Sequence, residues 1–332
     1  MNIDEVVKRS GVSRSTVFRF LKGDNVRATA KMSIISAMQQ LGYNDEKAVN
    51  SQLNLEIEIS ASEDMNDFLG LTQVIDGITY AAKQRGVKVR IVRRGASQIN
   101  ADYDNWDNGQ IGVVVIGKNI HDEKLEAQKL LENNIPHVFI NRILNDNSVS
   151  YVAVDVVQAG YDITKYLIDK GHKKIAICGD VSNYRVDRDK IAGYKNALLD
   201  NGIKVADKLC ITNANKYEIE VYISKLFENG EKPDAFVGIC DTYAMKFIGI
   251  AEQNGYKVPD DIAVVGMDDV ASGEFFRPAL TTVHIPFYEM GILAVDSLLK
   301  QTSQNVKSIR TIVNHSIIVR NSCDTISHLK SL

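Results

Sequence analysis

GVSRSTVFRFLKG, residues 11–23, is the stretch that decides the architecture of this chain. A Gly-Val-Ser turn leads into a segment with Val17, Phe20 and Leu21 at helical spacing, which predicts a short helix with one face inward. Ser13 is a good N-cap for it. Just before the turn, IDEVVKRS at 3–10 places Ile3, Val6 and Val7 on one side. Helix, glycine turn and helix form the pattern of a helix-turn-helix, with a plain helical hairpin as the alternative. In a helix-turn-helix the second helix lays its first exposed residues into a major groove. That reading makes Ser13, Arg14, Ser15, Thr16 and Arg19 candidate DNA contacts.

Working outward, MSIISAMQQLGY at 32–43 reads as a third helix. Ile34, Ile35, Met38 and Leu41 form its apolar stripe, and Gly42 ends it. The run from Ile3 to Tyr43 resembles the DNA-binding headpiece of the lac repressor/galactose repressor family. That family opens on a phrase like I-x-D-V-A-x-x-A-G-V-S-x-x-T-V-S-R-x-L-N and closes its third helix on L-G-Y. Here Ile3, Val6, Gly11, Val12, Ser13, Thr16, Val17, Arg19, Leu21, Gly42 and Tyr43 stand in step.

Charge is distributed to match. Residues 1–43 hold seven basic and three acidic side chains, so this head carries +4 while the remainder carries −7 of a total of −3. A basic head suits phosphate neutralisation, and an acidic body keeps the protein soluble. The polar run NDEKAVNSQLN at 44–54 links the two. In the resembled family this place holds a hinge helix that wedges leucines into the minor groove, at the price of local unstacking. By that resemblance Leu53 is the wedge candidate, with a one-residue slip. Asp45 and Glu46 stand where the family has proline and asparagine, so a plain linker is the alternative.

From residue 53 onward, short apolar runs alternate with amphipathic ones. Strands are predicted at 87–92, 111–117, 136–141, 174–179, 234–239 and 262–267. Helices are predicted at 70–85, 122–134, 157–170, 189–201, 217–229, 243–254 and 287–300. Apolar strands alternating with helices imply α/β architecture with parallel sheets covered on both faces. The number of pairs favours two Rossmann-like lobes, with ligand sites at the strand C-terminal ends. LEIEIS at 55–60 does not fit: Glu56 and Glu58 alternate with apolar residues, as in a strand with one open or dimer-paired face, unless the strand starts elsewhere.

Three body phrases extend the resemblance. VDVVQAGYDITKYLIDKGHKKIAICG at 154–179 is similar to the family's V-D-N-x-x-A-G-x-x-x-x-x-x-L-I-x-x-G-H-x-x-I-A. DRDKIAGYKNAL at 187–198 is similar to x-R-x-R-x-A-G-Y-x-x-A-L. VPDDIAVVGMDD at 258–269 and PALTTV at 278–283 complete the set. The resemblance implies a headpiece at 1–45, a hinge at 46–54 and an effector-binding and dimerisation core at 55–332 of the periplasmic-binding-protein type. Lobe one would take about 55–153 and 287–314, lobe two about 154–286 and 315–332.

The same resemblance implies effector contacts. Arg188 would point a guanidinium into the cleft. Asp268, ending the VVGM strand, would accept from two adjacent hydroxyls. Asn141 stands where the family has an acidic residue. Asp241 matches an N-D pair in which Cys240 replaces the asparagine. Phe68 and Phe287 are candidates for stacking on a sugar face, although core packing suits a phenylalanine as well.

Other classes find little support. No dinucleotide loop, P-loop or nucleophile elbow accompanies any strand, so no catalytic residue is expected. Cys178, Cys210, Cys240 and Cys323 form no CxxC, and the six histidines show no metal spacing, so neither metal nor cofactor is expected. No run is long and apolar enough to span a bilayer, and the N-terminus lacks a signal peptide's layout, so a cytoplasmic location is expected. A transporter's solute-binding protein is the rival with the same two lobes, but it would need a signal peptide and no basic head. The final SHLKSL is too short for a coiled coil, so a homodimer without tetramerisation is expected, with its interface on lobe one near helix 70–85. The expectation is a repressor that binds operator DNA under the control of a small effector. The commonest ligand of the resembled family is a sugar, with a purine-type effector as the alternative.

Overall fold

The computed structural model describes residues 2–22, 26–43, 56–62, 70–104, 106, 111–213, 218–304 and 306–323. The head consists of α1 (Ile3–Ser10), α2 (Arg14–Leu21) and α3 (Ala28–Gln40). Gly11 ends α1 in the left-handed region at φ 65°, which a side chain would resist, and Ser13 caps α2 by accepting from the Thr16 amide. Val6, Val17, Phe20, Val26, Ile34, Ile35, Ala37 and Met38 close a small core of their own. Tyr43 Oη accepts from the Asn2 amide at 2.5 Å and ties the two ends of the head together. The third helix starts at Ala28, four residues before the sequence expectation, because ATAK continues the helix without needing apolar residues.

Two six-stranded sheets follow. The first has the order β2 (Lys88–Arg93), β1 (Glu56–Ala61), β3 (Gly112–Ile116), β4 (His137–Ile140), β5 (Tyr151–Val154), β11 (Arg310–Val313), every pair parallel. The second has the order β7 (Cys210–Ile211), β6 (Ile175–Cys178), β8 (Ala235–Gly238), β9 (Ala263–Asp268), β10 (Thr281–His284), β12 (Ser316–Ile318), parallel except for β12. In chain order the helices around them are α4 (Leu71–Gln84), α5 (Ala96–Asp104), α6 (Ile120–Glu132), α7 (Val156–Asp169), α8 (Arg185–Asp200), α9 (Ile219–Glu228), α10 (Asp241–Gln253), α11 (Ala271–Phe275) and α12 (Phe287–Gln304). The chain passes between sheets three times: from β5 to α7, from β10 into α12 and from β11 to β12. α12 packs on α4 over the first sheet, and α7 packs on α8 over the second.

The α7–α8 crossing depends on two glycines. A Cβ at Gly193 would lie 2.0 Å from the Val157 carbonyl oxygen, and one at Gly160 would lie 2.4 Å from the Lys190 carbonyl oxygen. Both are backbone clashes, so the IAGY glycine is there for close approach.

The acidic first strand is a correction. β1 is not open on one face: Ile57 and Ile59 enter the main core, while Glu58 and Ser60, both fully buried, face α5 and α6. Glu58 forms ion pairs with Arg94, itself buried, and with Arg90 at 2.6 Å. Arg94 reaches on to Asp102 at 2.7 Å. Ser60 donates to Glu126, which also accepts from Tyr103 Oη at 2.5 Å and pairs with Lys118 at 3.3 Å. Lys118 Nζ donates to the carbonyls of Ala61 and Arg94 at 2.9 and 2.8 Å, joining the ends of β1 and β2 to the loop after β3. Burial lowers the Lys118 pKa, and Glu126 opposes that shift. Each buried charge has a partner, as burial demands.

Candidate functional site

The head presents one candidate surface. α2 buries Val17 and Phe20 and leaves Ser13, Arg14, Ser15 and Arg19 exposed, with Thr16 half-buried. Ser13 Oγ lies 2.8 Å from Thr16 Oγ1 and 3.1 Å from Ser15 Oγ, so these hydroxyls cluster at the helix N-terminus. That end carries unpaired amides and partial positive charge, which suits a phosphate. Arg14 pairs with Asp4 at 2.6 Å and lies 5.8 Å from the Phe18 ring centroid. Both members of the pair are exposed, so solvent screens it and DNA can compete for the guanidinium. Leu53 and the linker 44–54 lie outside the described residues.

The second candidate lies at the strand C-terminal ends of the two lobes. Asp268 ends β9 at φ 115° and Asp269 follows at φ 55°. Two consecutive non-glycine residues in the left-handed region store strain, which gathers at ligand sites. Asp268 Oδ1 accepts from Lys190 Nζ at 3.0 Å, and the same ammonium donates to the Ile239 carbonyl at 2.6 Å. Burial works against the Lys190 charge, but Asp268 and its neighbours outweigh it and raise the pKa. Asp269 is held by His284 at 2.9 Å and Arg320 at 2.8 Å. On lobe one Asn141 directly follows β4 at φ 53°, is buried, and accepts from the Val154 amide at 3.3 Å.

Several sequence candidates sit elsewhere. Arg188 is exposed on α8 and donates to the Val181 carbonyl at 3.1 Å, so it braces the loop before its own helix. Asp241 is fully buried under β9 and β10, bound to Thr282 Oγ1 at 2.5 Å and the Val270 amide at 2.8 Å. Burial pushes its carboxyl up to about 7. Cys240 is half-buried at the N-cap of α10, and burial pushes its thiol up, away from reactivity. Phe287 is core, with its ring against Gly70. Phe68 lies outside the described residues. The group that sequence reasoning missed is Lys190. It stands at the second basic position of x-R-x-R-x-A-G-Y, two residues beyond Arg188, and that phrase could have found it.

Across the cleft, Glu123 on α6 accepts from Arg185 Nε of α8 at 2.8 Å and lies 3.2 Å from Arg142 Nε, which follows β4. Nearby, burial holds the Asp187 carboxyl up at about 6. Among the described residues no group of three or more histidine, cysteine, aspartate or glutamate side chains is placed to hold a metal ion, and no helix is long and apolar enough to cross a membrane.

An exposed helix-turn-helix carried on two parallel-sheet lobes, with strained polar residues at the strand ends between them, defines a DNA-binding transcriptional regulator. Comparison with known proteins places it more closely. Residues 164–323 match the model of the periplasmic binding protein-like domain. Catabolite control protein A of Priestia megaterium is 29% identical, over 97% of this chain and 99% of that protein. The HTH-type transcriptional repressor PurR of Vibrio campbellii is 27% identical, over 96% and 98%. The structure of a transcriptional regulator CelR–cellobiose complex shares the fold at a TM-score of 0.74 and 23% identity, over 97% of this chain and 99% of that one. Over nearly its whole length the chain is thus similar to transcriptional regulators of the lac repressor/galactose repressor family.

Proposed function

We propose that this protein is a cytoplasmic, homodimeric repressor whose operator affinity is set by a small polar effector held between its lobes. The head, at 1–45, reads the operator through Arg14, Ser15 and Arg19, and Ser13 and Thr16 fix the start of α2 against phosphate. The observation that carries the effector reading is the Lys190–Asp268 pair at the end of β9. A carboxylate accepts from adjacent hydroxyls while an ammonium donates to a ring or hydroxyl oxygen, which is the donor and acceptor pattern of a polyol. A sugar or sugar derivative is therefore the preferred effector. The cellobiose complex of the similar regulator supports this class. Closure on the effector would change the spacing of two heads related by a two-fold axis.

A thermal-shift screen of sugars and nucleobases on the intact protein tests the effector class, because a ligand that binds only the folded state raises the melting temperature. Stabilisation by a sugar that disappears in Lys190→Met supports the reading. Stabilisation by a nucleobase alone would replace the sugar with a purine-type effector.

A further inference from the structure

We propose that Glu123 is an interlobe latch that sets the balance of closed and open lobes, and through it the operator affinity of the protein without effector. Glu123 is 1% exposed, yet its partners come from both sides of the cleft. Arg185, the first residue of α8 in the second lobe, donates through Nε to Oε1 at 2.8 Å. Arg142, in the first lobe, brings its Nε within 3.2 Å of Oε2. One carboxylate is thus shared by two guanidiniums, only one of which travels with it when the lobes part.

A second contact crosses at the same place. The Ile120 amide, first in α6, donates to the Asn183 carbonyl of the other lobe at 2.9 Å. The first amides of a helix lack intrahelical partners, so a carbonyl from the facing lobe completes this one. The 180–184 loop that supplies it is built to present it. Asp180 accepts from the Ser182 and Asn183 amides at 3.2 and 3.3 Å and from Asn183 Nδ2 at 2.8 Å. Arg188 holds Val181 from the helix side. Opening the cleft breaks both crossings and leaves Glu123 with Arg142 alone. Removing one partner of a buried charge pair is far more disruptive than its surface equivalent, so the latch weights the closed state strongly.

The test uses the full chain and a double-mutant cycle of Glu123→Gln, Arg185→Met and the pair. Hydrogen exchange is read at the Ile120 amide and across 181–186, and operator affinity is read without effector. The expected result is exchange faster by about tenfold or more in either single variant, the scale of one charge-assisted hydrogen bond. Operator affinity should shift by about fivefold or more in the same variants. The double variant should add nothing further in either readout. Arg185 lies at the rim, so Arg185→Met keeps the test open even if Glu123→Gln fails to fold. Unchanged exchange at Ile120, or additive effects in the cycle, would overturn the latch. Faster exchange with unchanged operator affinity would overturn its regulatory role. The operator arm rests on the DNA-binding reading, and loss of that reading would show as no operator binding by the unaltered protein while the exchange arm still reports.

Discussion

Lys190 Nζ, buried, lies 3.0 Å from Asp268 Oδ1, half-buried at the end of β9. Burial raises the Asp268 pKa and the Lys190 ammonium opposes that shift while fixing the carboxylate's direction, so in the proposed effector site the two act as one unit. Lys190→Met should therefore abolish stabilisation by an effector found in the thermal-shift screen, and Asp268→Asn should do the same. Arg188→Met, whose guanidinium braces the loop at Val181, should weaken it less. Calorimetry on the three variants checks the order. Undiminished affinity in Lys190→Met would remove the pair from the site.

Asp241 makes stability depend on pH. Its carboxyl ordinarily titrates at 3.8, and burial raises it to about 7 in the fold. A group raised on folding contributes stability that is full below its unfolded value and is lost as pH rises through the folded one. The melting temperature should thus fall between about pH 4 and pH 7 from this group. Protonated, Asp241 can donate to Thr282 Oγ1 and accept from the Val270 amide, and an asparagine reproduces that pattern. Melting curves of Asp241→Asn across pH should be flatter than those of the unaltered protein. Parallel curves would show that Asp241 is ionised in the fold.

The buried Glu58–Arg94 pair predicts an asymmetry between single and double changes. Arg94→Met alone leaves Glu58 with only the half-exposed Arg90 and should cost about 3–5 kcal/mol. Glu58→Leu combined with Arg94→Met removes both charges and should recover most of that loss. Urea unfolding of the three variants measures it.

Gly193→Ala forces α7 and α8 apart, because the new methyl meets the Val157 carbonyl. A loss of about 1–3 kcal/mol is expected, the range for overpacking. An unchanged urea midpoint would mean that the crossing relaxes freely.

How much of this was legible beforehand follows from the range of the forces involved. Five of the six predicted strands declared themselves because a strand buried on both faces is apolar throughout, whereas β2, KVRIVR, is largely exposed and was legible from its β-branched residues. Tyr151–Val154 is as apolar as the strands that were read, whereas Thr281–His284, Arg310–Val313 and Ser316–Ile318 mix polar and apolar residues over three or four positions and carry no periodicity to read. β1 misled because Glu58 is made tolerable by Arg90 and Arg94, which are distant in sequence. Local alternation cannot distinguish a charge facing water from one facing a buried guanidinium. Asp268 was legible from its place at a strand end. Asp241 has a similar place, but its carboxylate turns inward to Thr282, a choice made by tertiary packing. Cβ direction and burial, which separate Lys190 from Arg188 on one helix, depend on how α8 rolls against α7.

The head predicts its own discrimination. Arg14→Ala should weaken the preferred operator by about 1–3 kcal/mol if the guanidinium leaves Asp4 for a base edge. Random duplex should lose less. Equal losses on both, read by anisotropy over a salt series, would make Arg14 a phosphate contact.

The central claim is that this head reads a specific operator. Selection from a pool of random duplexes by the intact protein, followed by anisotropy titration of the recovered site against a scrambled duplex, tests it most directly. The account predicts two inverted half-sites and a preference of about a thousandfold or more over the scrambled duplex. Failure to enrich any sequence, with equal affinity for both duplexes at low salt, would contradict it.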